Sequence, residues 1–166
     1  ITYQLGGNTT LIRLGTIPRD RESSEYRILQ EILADFIRLG ETSGVFPTLE
    51  PGATAPDDVT ALSGSLPSEG IGVDVNPAEL AMYGYEPAKA VEALGRWVRS
   101  FHATDAAGRP GGGYRVVPLG QGDVDYPAVL SALEVVHYPG YLTLRPTGSG
   151  DAIDEIRRGK EFLYRL

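Results

Sequence analysis

Five polar residues lie at the ends of short apolar segments that are far apart in the chain: Arg13, Glu50, Asn76, His102 and Arg145. A carboxylate and an imidazole can bind a divalent cation or transfer a proton. Guanidinium and carboxamide groups donate hydrogen bonds to anionic or hydroxylated ligands. The set can therefore form a catalytic or binding site if the fold brings these segment ends together.

The chain alternates between two hydrophobic patterns. Short apolar segments predict five buried strands, at residues 9–15, 44–52, 71–78, 98–106 and 140–146. A helical pattern follows each of them, at residues 19–44, 54–66, 86–98, 126–136 and 151–166. The apolar face of the first helix is predicted to consist of Leu29, Ile32, Leu33, Phe36 and Ile37.

Two local features complete this prediction. Thr54 is a plausible N-cap for the second helix, because a threonine hydroxyl can accept a hydrogen bond from a free backbone N–H group. The glycine-rich residues 106–123 predict a mobile loop between the fourth strand and its helix.

A strand followed by a helix, five times over, indicates a parallel sheet covered by helices, in the α/β class. An open doubly wound sheet would carry G-x-G-x-x-G after its first strand, and "LGTIPRD" lacks it. We therefore predict the β/α units of a TIM barrel, about five of the eight being present, as one partial domain over residues 1–166. Five strands leave the barrel open, so the chain is either truncated or completed by association, and we expect self-association if it is complete.

The alternation of side chains along a strand places the five polar residues on one face. Each of them belongs to the set that points into the barrel, and Asp74 shares that face one layer deeper than Asn76. Barrels of this kind keep their chemistry at the C-terminal ends of the strands. The alternative is that some of these residues only begin the following loops, which is plausible for Arg13.

Composition narrows the class of protein. The net charge of −7 argues against a nucleic-acid surface, which needs concentrated basic residues. The absence of cysteine excludes disulfides and thiolate metal sites and fits a cytoplasmic protein. No stretch approaches the ~18 apolar residues of a membrane span. We therefore expect a small-molecule partner, with neither nucleic acid nor membrane.

Several longer motifs resemble a known family. "GVDVNPAELAMYGYEP", "HATDA", "VPLGQGDVDYPAVLSAL" and "GYLTL", preceded by "GTIPRD" and "FPTLEPG", are similar to the sugar phosphate isomerase/epimerase family. That family is the xylose isomerase-like TIM barrel, which includes the AP endonuclease type 2 group. The similarity extends from about residue 5 to the end of the chain.

The resemblance implies a divalent metal, commonly Mn²⁺, Mg²⁺ or Co²⁺, held by Glu, Asp, His and Glu. The matching positions here are Glu50, Asn76, His102 and Arg145, so two match and two depart. Neutral asparagine is a weaker ligand than aspartate, and a fixed positive arginine opposes a cation. Asp74 is the candidate replacement ligand, and Glu79, at the start of the next loop, is another candidate acid. The predicted metal ligands are thus Glu50, Asp74 and His102, the catalytic residue is Glu50, and the substrate-binding residues are Arg13, Asn76, Arg109 and Arg145.

Three functions follow from the resemblance and its departures. The first is a sugar or sugar-phosphate isomerase/epimerase-like protein, whose ancestral reaction is metal-assisted proton transfer next to a carbonyl and whose metal site is degraded. The second is a non-catalytic protein that binds a sugar or an anion on the same scaffold. The third is an AP endonuclease-like nuclease, which two histidines and a net negative charge disfavour. Loss of two ligand positions also means that the metal can be absent.

Overall fold

The computed structural model describes residues 1–148 and 150–166. One parallel sheet organises this part of the chain, with its strands in the order β1-β2-β3-β4-β7. The strands are β1 (Thr9–Arg13), β2 (Phe46–Glu50), β3 (Gly72–Val75), β4 (Val98–Ala103) and β7 (Leu142–Leu144). Five parallel strands were predicted, and this is confirmed. The sheet does not close into a barrel, because β1 and β7 are its two edges.

Helices connect successive strands of the sheet, and a further helix follows the last strand. They are α1 (Ser24–Ser43), α2 (Pro56–Gly64), α3 (Pro77–Met82), α4 (Pro87–Leu94), α5 (Tyr126–Val135) and α6 (Ala152–Leu163), and two 3₁₀ turns cover Tyr3–Leu5 and Gly95–Trp97. In the described residues no helix combines the length and the apolar composition needed to cross a membrane. The helix α3 begins inside the segment predicted to be the third strand, because Pro77 supplies a helical φ angle at its first position.

The prediction that Thr54 caps α2 is wrong. Ala55 occupies the N-cap position, where it makes no side-chain hydrogen bond, and Pro56 begins the helix. Proline needs no hydrogen-bond acceptor for its nitrogen, so it can start a helix without a capping hydroxyl.

The prediction that residues 106–123 form a loop without secondary structure is also wrong. This region contains an antiparallel hairpin made of β5 (Asp105–Gly108) and β6 (Tyr114–Val117). The three consecutive glycines 111–113 all have positive φ angles and form the tip of the hairpin. Glycine reaches this conformation without a steric cost, so a glycine-rich sequence here specifies a tight reversal of the chain.

The hydrophobic core lies between the sheet and the helices. On the central strands the side chains of Leu49, Val73, Val75 and Phe101 are almost fully buried, and they belong to the face opposite the polar residues. The helices bury their own apolar side chains against this face, among them Leu33, Ile37, Leu62, Val91 and Val129. Packing of this face fixes the opposite orientation for the polar side chains at the strand ends.

The predicted apolar face of α1 is only partly buried. Leu33 and Ile37 are covered and Leu29 is half-buried, whereas Ile32 and Phe36 remain 47% and 39% exposed. The reason is the position of α1 beside the edge strand β1, where no further strand or helix of the described chain continues the sheet. Self-association of the chain stays a prediction. The exposed apolar side chains of α1 are Ile28, Ile32, Phe36 and Leu39.

His137 has a positive φ of 55°, and it is the one residue other than glycine with this property in the described chain. Its backbone N–H donates to the carbonyl of Glu134, and the N–H of Tyr138 donates to the carbonyl of Leu133. This is the Schellman arrangement at the end of α5, whose left-handed position glycine usually fills. His137 is therefore a structural residue.

We expect His137→Gly to stabilise the protein. Glycine relieves the strain of the left-handed conformation, which stabilises the folded state by about 1–2 kcal/mol. Glycine also has more conformational freedom in the unfolded chain, which lowers the free energy of unfolding by about 0.4–1 kcal/mol. The net gain in the free energy of unfolding, about 0.5–1 kcal/mol, should appear as a higher urea midpoint. His137→Ala is the control, since alanine retains the strain. Equal midpoints for the two variants would contradict the argument.

Candidate functional site

Four of the predicted site residues form two contacting pairs at the C-terminal ends of the strands. Arg13 on β1 is the register partner of Glu50 on β2, and its Nε donates to Glu50 Oε2 at 2.9 Å. His102 on β4 lies beside Asp74 on β3, with Nδ1 2.8 and 2.9 Å from the two carboxylate oxygens. Arg145 follows β7, and its guanidinium lies 3.9 Å from the other oxygen of Glu50. The parallel strands thus bring five charged or ionisable side chains to one end of the sheet: Arg13, Glu50, Asp74, His102 and Arg145.

Glu50 is an ionised carboxylate held between two guanidinium groups. Its side chain is 9% exposed, while those of Arg13 and Arg145 are 68% and 58% exposed. The hydrogen bond from Arg13 lowers the pKa of Glu50, and burial opposes this effect without reversing it. The nearby charges of Arg13, Arg145 and His102 lower the pKa further.

Asp74 fixes the orientation of the His102 ring. The Asp74 carboxylate is buried, and the hydrogen bond that it accepts raises the pKa of His102, with burial of the ring opposing the rise. Because Nδ1 faces a carboxylate, it carries a hydrogen and donates it. The remaining ring nitrogen, Nε2, is then the atom that could accept a proton or bind a cation.

Asn76 is occupied in holding the local structure. Its Oδ1 accepts hydrogen bonds from the backbone N–H of Glu79 at 3.1 Å and from the hydroxyl of Thr104 at 2.6 Å. The same Thr104 hydroxyl accepts from the N–H of Ala78 at 3.2 Å. Asn76 is therefore the N-cap of α3 and links that helix to the end of β4.

Arg109 is not brought to this cluster. It is exposed at the turn of the β5–β6 hairpin, where its backbone N–H donates to the carbonyl of Gly113. Its side chain lines neither of the two cavities at the strand ends. The segment that contains it folds as the β5–β6 hairpin, and Arg109 follows the last residue of β5.

Asp105, three residues after His102, organises the loop that follows the hairpin. Its buried carboxylate accepts four backbone hydrogen bonds, from the N–H groups of Ala106, Gly120, Gly122 and Val124, at 2.9–3.2 Å. At Gly122 any side chain would overlap this carboxylate. The segment "HATDA" thus supplies the carboxylate of Asp105, and "PLGQGDV" supplies three of the backbone N–H groups that donate to it.

Two cavities lie above the strand ends, with volumes of about 360 and 230 Å³. The larger, here the first cavity, lies over β1 and β2 and is lined by Arg13, Arg19, Thr54, Asp58 and Tyr85 among others. The smaller, the second cavity, lies between α3 and the hairpin and is lined by Asn76, Met82, Val116, Arg145 and Pro146 among others. Glu79 and Tyr83 line both cavities.

Glu79, the other candidate acid named from the sequence, lies in α3 and not in a loop. It is partly buried in the first turn of α3, and burial, followed by the negative charge of Glu50, raises its pKa. Its position three residues after the N-cap Asn76 was the available signal, because that spacing directs the side chain to the same end of the sheet.

The side chains at the strand ends do not fit a divalent metal. Within residues 1–148 and 150–166, no group of three or more histidine, aspartate or glutamate side chains could hold one. Glu50 is paired with Arg13, and Arg145 stands close to its second oxygen. Both oxygens of Asp74 face His102. A cation here would be repelled by two nearby guanidinium groups. The carboxylates of Glu50 and Asp74, which should bind it, already have partners within the protein.

The fold and the order of these strand ends identify the family. The sequence matches the profile of the family described as xylose isomerase-like TIM barrel over residues 1–166. The chain belongs to the xylose isomerase-like TIM barrel family. The predicted resemblance is therefore confirmed. No curated protein matches the sequence significantly.

Solved structures of this family share the fold at low sequence identity. A xylose isomerase domain protein from Planctomyces limnophilus is 24% identical with a TM-score of 0.83, over 98% of this chain and 59% of that one. A xylose isomerase-like TIM barrel protein from Mycobacterium smegmatis, in complex with magnesium, is 17% identical with a TM-score of 0.73, over 99% and 62%. D-allulose 3-epimerase from Methylomonas sp., in complex with D-allulose, is 17% identical with a TM-score of 0.77, over 99% and 64%. The chain spans about three-fifths of each.

The environment of His102 in this family member can be tested by titration. The chain has two histidines, so His137→Gln identifies the His102 signals in the NMR spectrum. We expect a pKa above the ordinary value of 6.5 and a lower one in Asp74→Asn. Because protonated His102 is favoured in the folded state, it adds to the free energy of unfolding. This contribution is complete below pH 6.5, the ordinary pKa of histidine, and is lost as the pH rises through the pKa of His102 in the folded protein. The same pKa in wild type and Asp74→Asn would contradict the pairing.

The role of Asp105 can be tested by its removal. Asp105→Ala leaves four backbone N–H groups without their acceptor, so we expect a loss of about 3 kcal/mol or more in the free energy of unfolding. Asp123→Ala is the control, because the Asp123 carboxylate accepts one such bond, from Gly108, and its loss should cost about 1 kcal/mol. Urea denaturation measures both. Equal costs would show that the four hydrogen bonds do not act as described.

Proposed function

We propose that this domain binds a sugar or sugar phosphate at the C-terminal ends of its strands and does so without a resident divalent metal. The observation that carries the proposal is the position of Arg145, 3.9 Å from Glu50, in a cluster that already contains the Arg13–Glu50 ion pair. Neighbours of the same fold include sugar epimerases, which supports a sugar as the ligand.

The charges at the strand ends support binding without a metal. Two guanidinium groups balance the carboxylate of Glu50 and that of half-buried Glu79, and His102 is paired with Asp74. A divalent cation could reach the oxygens of Glu50 only by displacing Arg13 and Arg145 from them. A guanidinium can instead neutralise an anionic ligand and direct hydrogen bonds to it.

The same geometry argues against the two-base reaction of a sugar epimerase. Proton removal and return on opposite faces of a carbon require two groups that accept and donate protons. Glu50 is one candidate, but its pKa is lowered by the hydrogen bond from Arg13, which makes it a weaker base. Arg145 cannot serve as the second base, because a guanidinium group is not deprotonated in proteins and only donates hydrogen bonds.

A second candidate function is metal-assisted isomerisation or epimerisation. The Asp74–His102 pair favours it, because histidines that bind metals commonly donate their other ring N–H to a carboxylate. A structure of this fold in complex with magnesium also supports it. In this alternative Glu50 and Nε2 of His102 would hold the metal, which would polarise the substrate carbonyl.

The metal content of the protein separates these two functions. We expect the purified wild type to contain no stoichiometric Mn, Mg, Co or Zn by elemental analysis. The double variant Asn76→Asp/Arg145→Glu should bind Mn²⁺ at least about tenfold more tightly than wild type in calorimetric titration, since ligand and charge are both restored. Asn76→Asp/Arg115→Glu is the control, because it makes the same charge change with the glutamate on the exposed hairpin. Stoichiometric metal in the wild type would overturn the proposal.

A further inference from the structure

Helix α3 and the C-cap residue that follows it, Tyr83, divide the space above the strand ends into two compartments. Glu79 and Tyr83 line both the first and the second cavity, so they form a ridge between them. The second cavity alone is smaller than the roughly 300–1,000 Å³ of typical small-molecule sites, and the first is near the lower limit. A ligand that extends over the ridge would occupy both.

The first cavity has the chemistry of a site for sugar hydroxyl groups. Its lining combines donors and acceptors of both charges, including Arg19, Thr54 and Asp58, with the aromatic rings of Tyr83 and Tyr85. Hydroxyl groups both donate and accept hydrogen bonds, and the C–H face of a sugar ring packs on an aromatic ring.

The second cavity differs because Arg145 meets an apolar wall there. Met82 and Val116, both about half exposed, face this cavity together with Pro146. The guanidinium of Arg145 lies 3.9 Å from Glu50, which is beyond hydrogen-bond distance, and its side chain is 58% exposed. Its donors are therefore available to a ligand, and the apolar wall beside them limits the size of the group that they can bind.

The hairpin that supplies Val116 is held firmly in place. Val116 pairs with Ala106 next to Asp105, the carboxylate that accepts four backbone N–H groups. A further hydrogen bond joins the N–H of Gly108 to Asp123. The second cavity is thus bounded by an ordered strand, as a site that discriminates between substituents requires.

We infer that the ligand is a monosaccharide with an anionic substituent, whose ring lies in the first cavity and whose phosphate or carboxylate crosses the Glu79–Tyr83 ridge to Arg145. This inference rests on the proposed function and adds the class of the sugar and the residues that select it. Arg145 recognises the charge, Val116 and Met82 set the size of the substituent, and Tyr83 contacts both parts of the ligand.

Calorimetric titration of the EDTA-treated protein tests this inference. The probes are D-glucose and D-fructose, their 6-phosphates, and D-glucuronate. We expect at least one anionic sugar to bind at least about tenfold more tightly than its neutral parent, the difference that one charge-assisted contact commonly gives. The glucose series distinguishes phosphate from carboxylate. Arg145→Gln should remove the preference, and Arg115→Gln, on the exposed hairpin, should retain it.

Two tryptophan variants test the position of the substituent. Val116→Trp should weaken binding of the anionic sugar at least about tenfold by narrowing the second cavity, with little effect on the neutral parent. Arg115→Trp introduces the same ring at the adjacent position of β6, on the other face of the strand, and should bind as wild type does. Circular dichroism checks that both variants are folded.

The outcomes separate this inference from the proposed function. If anionic and neutral sugars bind equally, or if Arg145→Gln keeps the preference, the inference is wrong and sugar binding stands. If none of the five probes binds to the wild type, both the sugar-binding proposal and the inference fail. Metal content does not enter this test, because EDTA removes any bound cation before titration.

Discussion

The Arg13–Glu50 ion pair is the interaction on which the organisation of the site depends. A carboxylate that is 9% exposed must be paired, because an isolated buried charge is strongly unfavourable. The parallel register of β1 and β2 places Arg13 beside it, and β7 places Arg145 on its other side. Arginine side chains on and after the strands thus neutralise the negative charge of Glu50, so no bound cation is needed to neutralise it.

Asp105 is a second buried carboxylate that must also be compensated, but backbone N–H groups do so in place of arginine. Among the residues that the structure describes, Asp105 has no arginine partner, and four backbone N–H groups donate to its carboxylate. Three of these groups belong to residues 120–124, which fold around it. One carboxylate thus determines the ligand chemistry at the strand ends, while the other determines the shape of the wall beside it. Both lie at the same end of the sheet because parallel strands all finish there.

The sequence predicted these parts of the structure unequally. The alternation of side chains along a strand correctly placed Glu50, Asp74 and His102 on one face of the sheet. This succeeded because the apolar side chains between them must pack against the helices, which fixes the orientation of each strand. The β5–β6 hairpin was missed, since its glycine-rich sequence was interpreted as a loop, whereas Gly111, Gly112 and Gly113 form the turn between two paired strands. The burial of α1 was overestimated at Ile32 and Phe36, because an amphipathic pattern shows which face is apolar and not what covers it.

Replacement of a metal by a guanidinium changes what a site can do with a similar charge. A divalent cation polarises a carbonyl and lowers the pKa of what it binds, whereas arginine contributes a fixed charge and directed hydrogen bonds. A site built on Arg145 can therefore recognise an anion that a metal would also attract, yet it offers little assistance to proton removal. The lowered pKa of Glu50 acts in the same direction, because a better-stabilised carboxylate is a weaker base. Recognition and catalysis are thus separable on this scaffold, and the pairs around Glu50 favour recognition.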